Sequence, residues 1–344
     1  MRLADGSLRT MSDACRQSPD WAATRVWDLP PVDPEDGEDF ETYLRRIGFD
    51  DVRLSYVQRG FAGAAGEAMR NLDAGVAVEA LRDHSTGRND WRILDGYNRL
   101  HESWASGLDI RLNTVVERIE WDAEGVRVFA ADGQPFEADR AVITLPLGVL
   151  RSNRVTFSPE LPAEKREAID RLRVAPVIKL VYRFAAPVLP EGVMALYSAL
   201  NPCMWWSPSV GQPTGEYVLT AFVTADRARE LLALSEAGAL ERGVETLRAE
   251  LGRPDLKPVE ARMVNWVDDP YALGGYSVTP PGAREAHEAL ARPVSNRLFW
   301  AGEATAGPLW KATVHGAYAS GCRAAAEILS ALKENEEYKR SVIS

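Results

Sequence analysis

The block Leu298-Phe-Trp-Ala-Gly-Glu-Ala-Thr-Ala-Gly-Pro-Leu-Trp-Lys-Ala-Thr-Val-His-Gly-Ala-Tyr-Ala-Ser-Gly-Cys-Arg-Ala-Ala325 constrains this chain more than any other segment. It reads as a strand, an acidic loop and a helix. Gly316, Ala317, Ser320 and Gly321 fall about one turn apart on one helix face, so the backbone there can approach a sheet or a flat ligand closely. Free N–H groups near Thr313 and Val314 would point partial positive charge at an anionic oxygen. Tight helix packing accounts for the same small-residue face, and the block alone leaves both readings open.

The rest of the chain interleaves helices and strands. Phe40, Tyr43, Leu44 and Ile47 recur at i, i+3, i+4 and i+7 ahead of Gly48, which predicts a helix, with further helical stretches to about Arg82. Pro30, Pro31 and Pro34 in an acidic setting predict an exposed connection before it. Three strand-like runs follow, Ile110 to Ile119, Val126 to Ala130 and Ala141 to Leu145, with Asp132-Gly133 as a tight turn between the second and third. A helix is expected from Pro162 to about Leu172, and strands over Val177 to Phe184 and Tyr217 to Val223. Two helices joined near Ser235 are expected between Asp226 and Leu251. A short helix after the Trp266 to Gly282 stretch, a strand Arg297 to Ala301 and a last helix Thr313 to Leu332 complete the pattern. With 344 residues and no internal repeat, this predicts two α/β or α+β layers built from non-contiguous pieces.

Composition removes several function classes. Fifty Asp and Glu against 40 Lys and Arg give a net charge of -10, without the basic excess that nucleic-acid binding draws on. Cys15, Cys203 and Cys322 are scattered, so neither a disulfide framework nor a zinc site is expected. Without an apolar leader or a run long enough to span a bilayer, the chain reads as cytoplasmic. Neither G-x-x-x-x-G-K nor G-x-G-x-x-G occurs; Gly60, Gly63 and Gly66 give only a helix-packing spacing.

A few residues stand out for chemistry. In the 177–184 strand, Ile178, Leu180, Tyr182 and Phe184 form one face and leave Lys179 on the other with Val177, Val181 and Arg183. Taken bare, such a lysine is a solvated face residue, and Trp266 and Tyr276 beside Gly274 and Gly275 are core anchors at a turn. Asp268 and Asp269, without a third ligand, read as solvated rather than metal-binding. His315 reads as a hydrogen-bonded structural histidine.

Five stretches in order nevertheless resemble the flavin-containing amine oxidases, the family of monoamine oxidases, polyamine oxidases and lysine-specific histone demethylases. They are Leu112-Asn-Thr-Val-Val116, Thr144-Leu-Pro-Leu-Gly-Val-Leu150, Lys179 in its strand, Trp266-Val-Asp-Asp-Pro-Tyr-Ala-Leu-Gly-Gly-Tyr276, and Gly302-Glu303-Ala-Thr with Ala312-Thr-Val-His-Gly-Ala317 and Ser320-Gly321. The resemblance runs from about residue 40 to residue 332. It implies FAD as cofactor, an amine and O2 as substrates, and hydride transfer to flavin N5 followed by imine hydrolysis and peroxide release. Val116 would meet the adenine end, with Leu145 and Pro146 nearby; Gly302 and Glu303 would meet the ribityl and pyrophosphate region. Thr313 would also contact the cofactor, and the backbone of Val314 would face the pyrimidine edge of the flavin. Lys179 matches the lysine that holds a water beside N5, and Trp266 and Tyr276 match the aromatic walls of the amine channel. Gly275 stands where monoamine oxidases carry a flavin-linked cysteine, so noncovalent FAD is expected. Thr313 stands where those enzymes place a second channel tyrosine. Trp205, Trp206 and Tyr197 are further channel candidates.

The implied architecture is an FAD/NAD(P)-binding-like domain, incomplete at its N-terminus, plus a mixed-sheet substrate domain. Residues 1–95 would be the helical part of the substrate domain, 96–152 an FAD-binding segment, 153–292 the substrate domain, 293–335 a second FAD-binding segment and 336–344 a tail. Family members begin with a βαβ unit whose G-x-G-x-x-G loop seats the FAD pyrophosphate, and this sequence has no such loop. A late start codon, a split enzyme with a separate N-terminal FAD-binding polypeptide, and a noncatalytic remnant acting as a binding or partner subunit are the three expectations that follow.

Overall fold

The computed structural model describes residues 29–83, 93, 96–209 and 217–343; Cys15 lies outside them. Asp39 caps helix α1 (Phe40–Arg46) by accepting from the Thr42 N–H, and Gly48 follows its end at φ 96°. Helix α2 (Asp51–Val57) runs into a π-helical turn, Gln58–Ala62, and a 3-10 turn Met69–Asn71 leads to α3 (Ala74–Arg82). The prolines ahead of α1 are at the surface, Pro30 and Pro31 exposed and Pro34 half-buried.

After α4 (Asn98–Ala105) come β1 (Val116–Trp121), β2 (Val126–Ala130), β3 (Pro135–Ala138) and β4 (Ala141–Ile143). Two expectations change here. The run from Ile110 is a strand only from Val116, because Leu112 is 79% exposed and Asn113 is left-handed at φ 54°. The Asp132-Gly133 turn joins β2 to β3 rather than to the Ala141 strand, since β2 and β3 pair antiparallel from Val126–Ala138 to Phe129–Pro135. Helix α5 (Leu147–Arg151), β5 (Thr156–Ser158) and α6 (Ala163–Arg171) follow. Strand β5 pairs parallel with β1, giving a four-stranded sheet in the order β3-β2-β1-β5.

Next are β6 (Arg173–Val174), β7 (Val177–Phe184), β8 (Ala195–Tyr197), β9 (Met204–Trp206) and β10 (Tyr217–Thr224). Helices α7 (Ala225–Leu232) and α8 (Glu236–Leu251), the latter capped by the Ser235 hydroxyl, precede β11 (Glu260–Asn265). The five-stranded sheet has the order β11-β7-β10-β9-β8. Ile178, Leu180 and Tyr182 are fully buried on one face against Ala228, Leu231, Val244 and Leu247 of α7 and α8. Val177 lies on the other face and packs among Phe40, Leu44 and Val78 of the N-terminal helices. Burying one residue in two on each side is what the alternating sequence required.

The chain closes with β12 (Ser277–Val278), α9 (Ala286–Ala291), β13 (Leu298–Trp300) and α10 (Val314–Ile343). Strand β12 pairs with β6, and β13 pairs parallel with β4, so distant parts of the sequence share one layer. A third core fills the space between these pairs, the four-stranded sheet, α6 and α9, with Leu172, Leu290, Leu298 and Trp300 at its centre. The fold is therefore mixed α/β, with non-contiguous segments paired in the two-stranded sheets β12-β6 and β13-β4. Among the described residues no helix is long and apolar enough to cross a membrane.

Candidate functional site

A cavity of about 410 Å³ opens between the two halves. It brings together Leu145, Pro146, Lys179, Trp266, Tyr276, Gly302 and Glu303, with Gly274, Gly275 and Trp300 completing the wall. Apart from Trp300 at the end of β13, these residues come from the β4–α5 turn, β7, the loop between β11 and β12, and the loop after β13, all four inside the motifs quoted above. Val116, Thr313 and Val314 are not among the lining residues. Val116 opens β1 and packs into the α6–α9 core; Val314 is 42% exposed at the start of α10. Thr313 caps that helix, its hydroxyl donating to the Trp310 carbonyl at 2.6 Å and accepting the Gly316 N–H at 3.0 Å.

Lys179 projects from the half-buried side of β7, as the alternation required, with its Nζ 5.9 Å from the centre of the Trp206 ring. Across the sheet it lies opposite Phe222 and Val264, and Phe222 lies opposite Met204. Trp206 also meets Phe222, ring centres 6.0 Å apart. Tyr197 pairs with Met204 and so shares this face. Trp205 does not: one residue from Trp206 along a pleated strand, it points the opposite way, is 0% exposed in the α7–α8 core, and donates Nε1–H to the Pro202 carbonyl at 3.1 Å. Of the three aromatic channel candidates, Trp205 is thus a core residue.

The Trp266 to Tyr276 loop is held by close backbone approach. Trp266 N–H donates to Val177 and its carbonyl accepts from Gly274, which sits at φ 134°. A Cβ on Gly148 would lie 2.4 Å from the Ala272 carbonyl, so α5 packs directly on this loop. Tyr276 donates its hydroxyl to the Ala64 carbonyl at 2.6 Å, and burial raises its pKa. A Cβ on Gly66 would sit 2.7 Å from the Tyr276 ring, which makes close packing the role of that glycine. Asp269 caps the Tyr271 N–H and Asp268 accepts from Asn265, so both stabilise the turn.

The Gly302-Glu303 loop is fixed from three sides, by Ala312 and Ser320 of the quoted block and by Ser277, His287 and Arg323, which carry no motif of their own. Glu303 accepts the Ser277 N–H at 2.9 Å, the Ser277 hydroxyl at 2.7 Å and the Ala312 N–H at 2.6 Å, which commits most of the carboxylate's lone pairs to the protein. Ser320 of α10 accepts the Gly302 N–H at 2.8 Å, and Arg323 donates to the Trp300 carbonyl at 2.8 Å. His287, fully buried on α9, bridges Thr279 at 2.8 Å and the Ala304 carbonyl at 2.7 Å, and burial pushes its pKa down to about 4. His315, expected to be the structural histidine, is instead exposed and meets Trp310 edge-on at 5.9 Å. On the far side of Trp300, Lys165 is 3% exposed beneath the ring and donates to the Leu290 and Arg292 carbonyls at the end of α9.

The cavity fits the flavin end of FAD. At Gly302, φ 112°, a Cβ would meet only the Thr144 carbonyl, at 3.9 Å, so the backbone leaves room for a group laid against it. Trp300 Nε1 is buried in this wall without a hydrogen-bond partner. The small-residue face of α10 is used differently along its length: a Cβ on Gly316 would strike the Trp310 carbonyl at 2.0 Å, whereas Gly321 faces open space.

Residues 3–329 match the family profile described as flavin containing amine oxidoreductase. Polyamine oxidase 4 of Oryza sativa subsp. japonica is 32% identical over 293 residues, covering 83% of this chain and 58% of that protein. Lysine-specific histone demethylase 1 homolog 2 of the same plant is 34% identical over 262 residues, covering 72% of this chain and 34% of that protein. The chain thus spans little more than half of the first relative and a third of the second. Among solved structures, putrescine oxidase bound to putrescine superposes with a TM-score of 0.75 at 21% identity over 94% of this chain and 77% of that one. Cyclohexylamine oxidase from Brevibacterium oxydans IH-35A gives 0.74 at 19% identity, over 94% and 75%. These two likenesses establish the fold, and the match over residues 3–329 establishes the kinship: the chain belongs to the flavin containing amine oxidoreductases.

Proposed function

We propose that this protein oxidises an amine with noncovalently bound FAD and O2. The observation that supports this most is the convergence of Lys179, Trp266, Tyr276, Gly302 and Glu303, from three separate segments, on one cavity. The chemistry FAD supplies when bound is acceptance of a hydride from the carbon beside the amine nitrogen and return of the electron pair to O2 as peroxide, the imine then hydrolysing. Trp266 and Tyr276 present aromatic faces that attract the substrate's ammonium and keep bulk water from the reacting carbon. Lys179 supplies a donor that holds a water at the reacting edge of the ring. Gly302 lets the ring system lie against backbone, and Glu303 holds the loop in place. Gly275 offers no side chain for a covalent link.

The absence of G-x-G-x-x-G from the sequence favours a second reading, in which the chain is noncatalytic alone and acts as a binding or partner subunit. A separate FAD-binding polypeptide draws no support from the comparisons. An absorbance spectrum of the purified chain, before and after incubation with FAD and removal of the unbound cofactor, separates the two readings. Retained flavin bands that bleach on addition of an amine are expected for the oxidase. In that preparation Lys179→Met is expected to slow turnover on the order of 100-fold. Undiminished turnover rejects the role given to Lys179, and a chain that retains no flavin favours the second reading.

A further inference from the structure

Phe222 walls the cofactor cavity on one side and a second cavity, of about 290 Å³, on the other. Arg59, Cys203, Met204, Thr224 and Arg227 enclose this second space. The cross-strand row Lys179, Phe222, Met204 runs from the first cavity to the second on one sheet face. At about 4.8 Å per strand, two strand spacings separate its ends by roughly 10 Å. One extended ligand of that length spans both by passing the Phe222 side chain that the two cavities share.

Arg59, Arg70 and Arg227 against Asp226 and Glu230 leave the second cavity with an excess of one positive charge. Arg70 pairs with Asp226 at 2.8 Å, and Asp226 also pairs with Arg229 at 2.9 Å. Glu230, at the rim, accepts from the Asn201 side chain at 2.9 Å. Arg59 and Arg227 have only uncharged acceptors: Arg59 donates to the Ser55 carbonyl at 3.0 Å and the Ser55 hydroxyl at 2.8 Å, and Arg227 to the Leu200 carbonyl at 3.0 Å. Among the described residues neither forms an ion pair. Arg59 sits in the π-helical turn Gln58–Ala62, an irregularity that concentrates at functional sites, and its guanidinium lies 4.7 Å from the centre of the Tyr56 ring. Burial above all, and the neighbouring Arg227 charge, lower its pKa. A guanidinium keeps its proton regardless, so two half-buried cations facing one cavity favour an anion between them.

We propose that this cavity is an anion subsite, in which Arg59 and Arg227 hold an oxyanion, carboxylate or phosphate, at the end of the substrate remote from the oxidised C–N bond. The favoured substrate is then an amine with an anionic far end, an inference that rests on the amine-oxidising reading above. Aligned N–H donors from a guanidinium suit either oxyanion, while Phe222 and Met204 suit an apolar spacer.

Calorimetric titration of the full chain with octylamine, 8-aminooctanoate and 8-aminooctyl phosphate tests it, since the three differ only at the far end. At least one oxyanion-bearing amine is expected to bind about tenfold or more tightly than octylamine. The stronger of the two identifies the anion. Arg59→Leu and Arg227→Leu are expected to abolish that advantage and leave octylamine binding unchanged. Arg59→Lys, a gentler change to the fold, is expected to lose part of it. Equal affinities for all three ligands, or an advantage untouched by these substitutions, overturn the anion subsite and leave the amine site standing. Glutarate, which has no amine, reports on the subsite alone: Arg59-dependent binding of glutarate without octylamine binding supports the subsite and rejects the amine reading. Failure of all four ligands to bind rejects both.

Discussion

At the scale of single residues, the site depends on side chains whose hydrogen bonds are fixed by chemistry rather than by motif. His287 is one. The Ala304 carbonyl can only accept, so Nδ1 carries the proton and Nε2 accepts from Thr279. A second proton would have to enter a fully buried ring and turn the Thr279 hydroxyl around, which is why burial lowers its pKa to about 4 from 6.5. The unfolded chain takes up that proton below about pH 6.5, whereas the folded chain resists until about pH 4, so stability is fully present above pH 6.5 and falls through this window. At 1.36 kcal/mol per unit the loss amounts to about 3 kcal/mol. Urea unfolding between pH 7.5 and 4 is expected to show it in the wild type and to lose most of it in His287→Gln. A parallel pH dependence in the variant would mean that other groups set the acid limit. None of this was legible in the sequence, where His287 lies between Ala286 and Glu288 without a pattern. Lys179, Glu303 and Ser320 were found because they sit in recognisable stretches, while Ser277 and Arg323, which hold Glu303 and Trp300, act through contacts that only the fold creates.

At the scale of elements, legibility followed length and periodicity. Strand β7 was read to the residue because Ile178, Leu180, Tyr182 and Phe184 face one core while Lys179, Val181 and Arg183 between them are only half-buried. Helices α7 and α8 were read because Ser235 sits between two apolar stripes as a cap. Strands β5, β8 and β9 have three residues each, too few for a period to emerge; β5 and β9 form on the longer β1 and β10, and β8 in turn on β9. The pairing of β13 with β4 left no local trace either. One glycine shows how tightly elements are fitted at the cavity. A Cβ on Gly148 would come within 2.4 Å of the Ala272 carbonyl and 2.6 Å of the Leu273 carbonyl, both backbone atoms, so α5 or the Trp266–Tyr276 loop would have to shift. Gly148→Ala is accordingly expected to destabilise the protein by about 1–3 kcal/mol, measured by urea unfolding, although alanine favours a helix. An unchanged or raised stability would mean that the loop is free to yield.

For the molecule as a whole, the cavity lies where the α6–α9 core and the five-stranded sheet face each other, so its shape depends on how both halves sit. A ligand that binds there stabilises only the native arrangement, and its effect grows with concentration, by about 2.7 kcal/mol at a hundred times its dissociation constant. The residues gathered there suit a flavin ring and its ribityl chain, while Val116, expected at the adenine end, packs into the α6–α9 core away from the cavity wall. The sequence also lacks the glycine loop that would seat a pyrophosphate on a helix N-terminus. If the flavin end supplies most of the binding, removing the adenylate should matter little. FMN and FAD at equal concentration are therefore expected to raise the melting temperature of this chain by similar amounts, with affinities within about tenfold, or 1.4 kcal/mol, of each other. An FAD affinity a thousandfold above that of FMN would show that this chain grips the pyrophosphate and adenine without a glycine loop, and would place the missing contacts on residues outside the cavity wall.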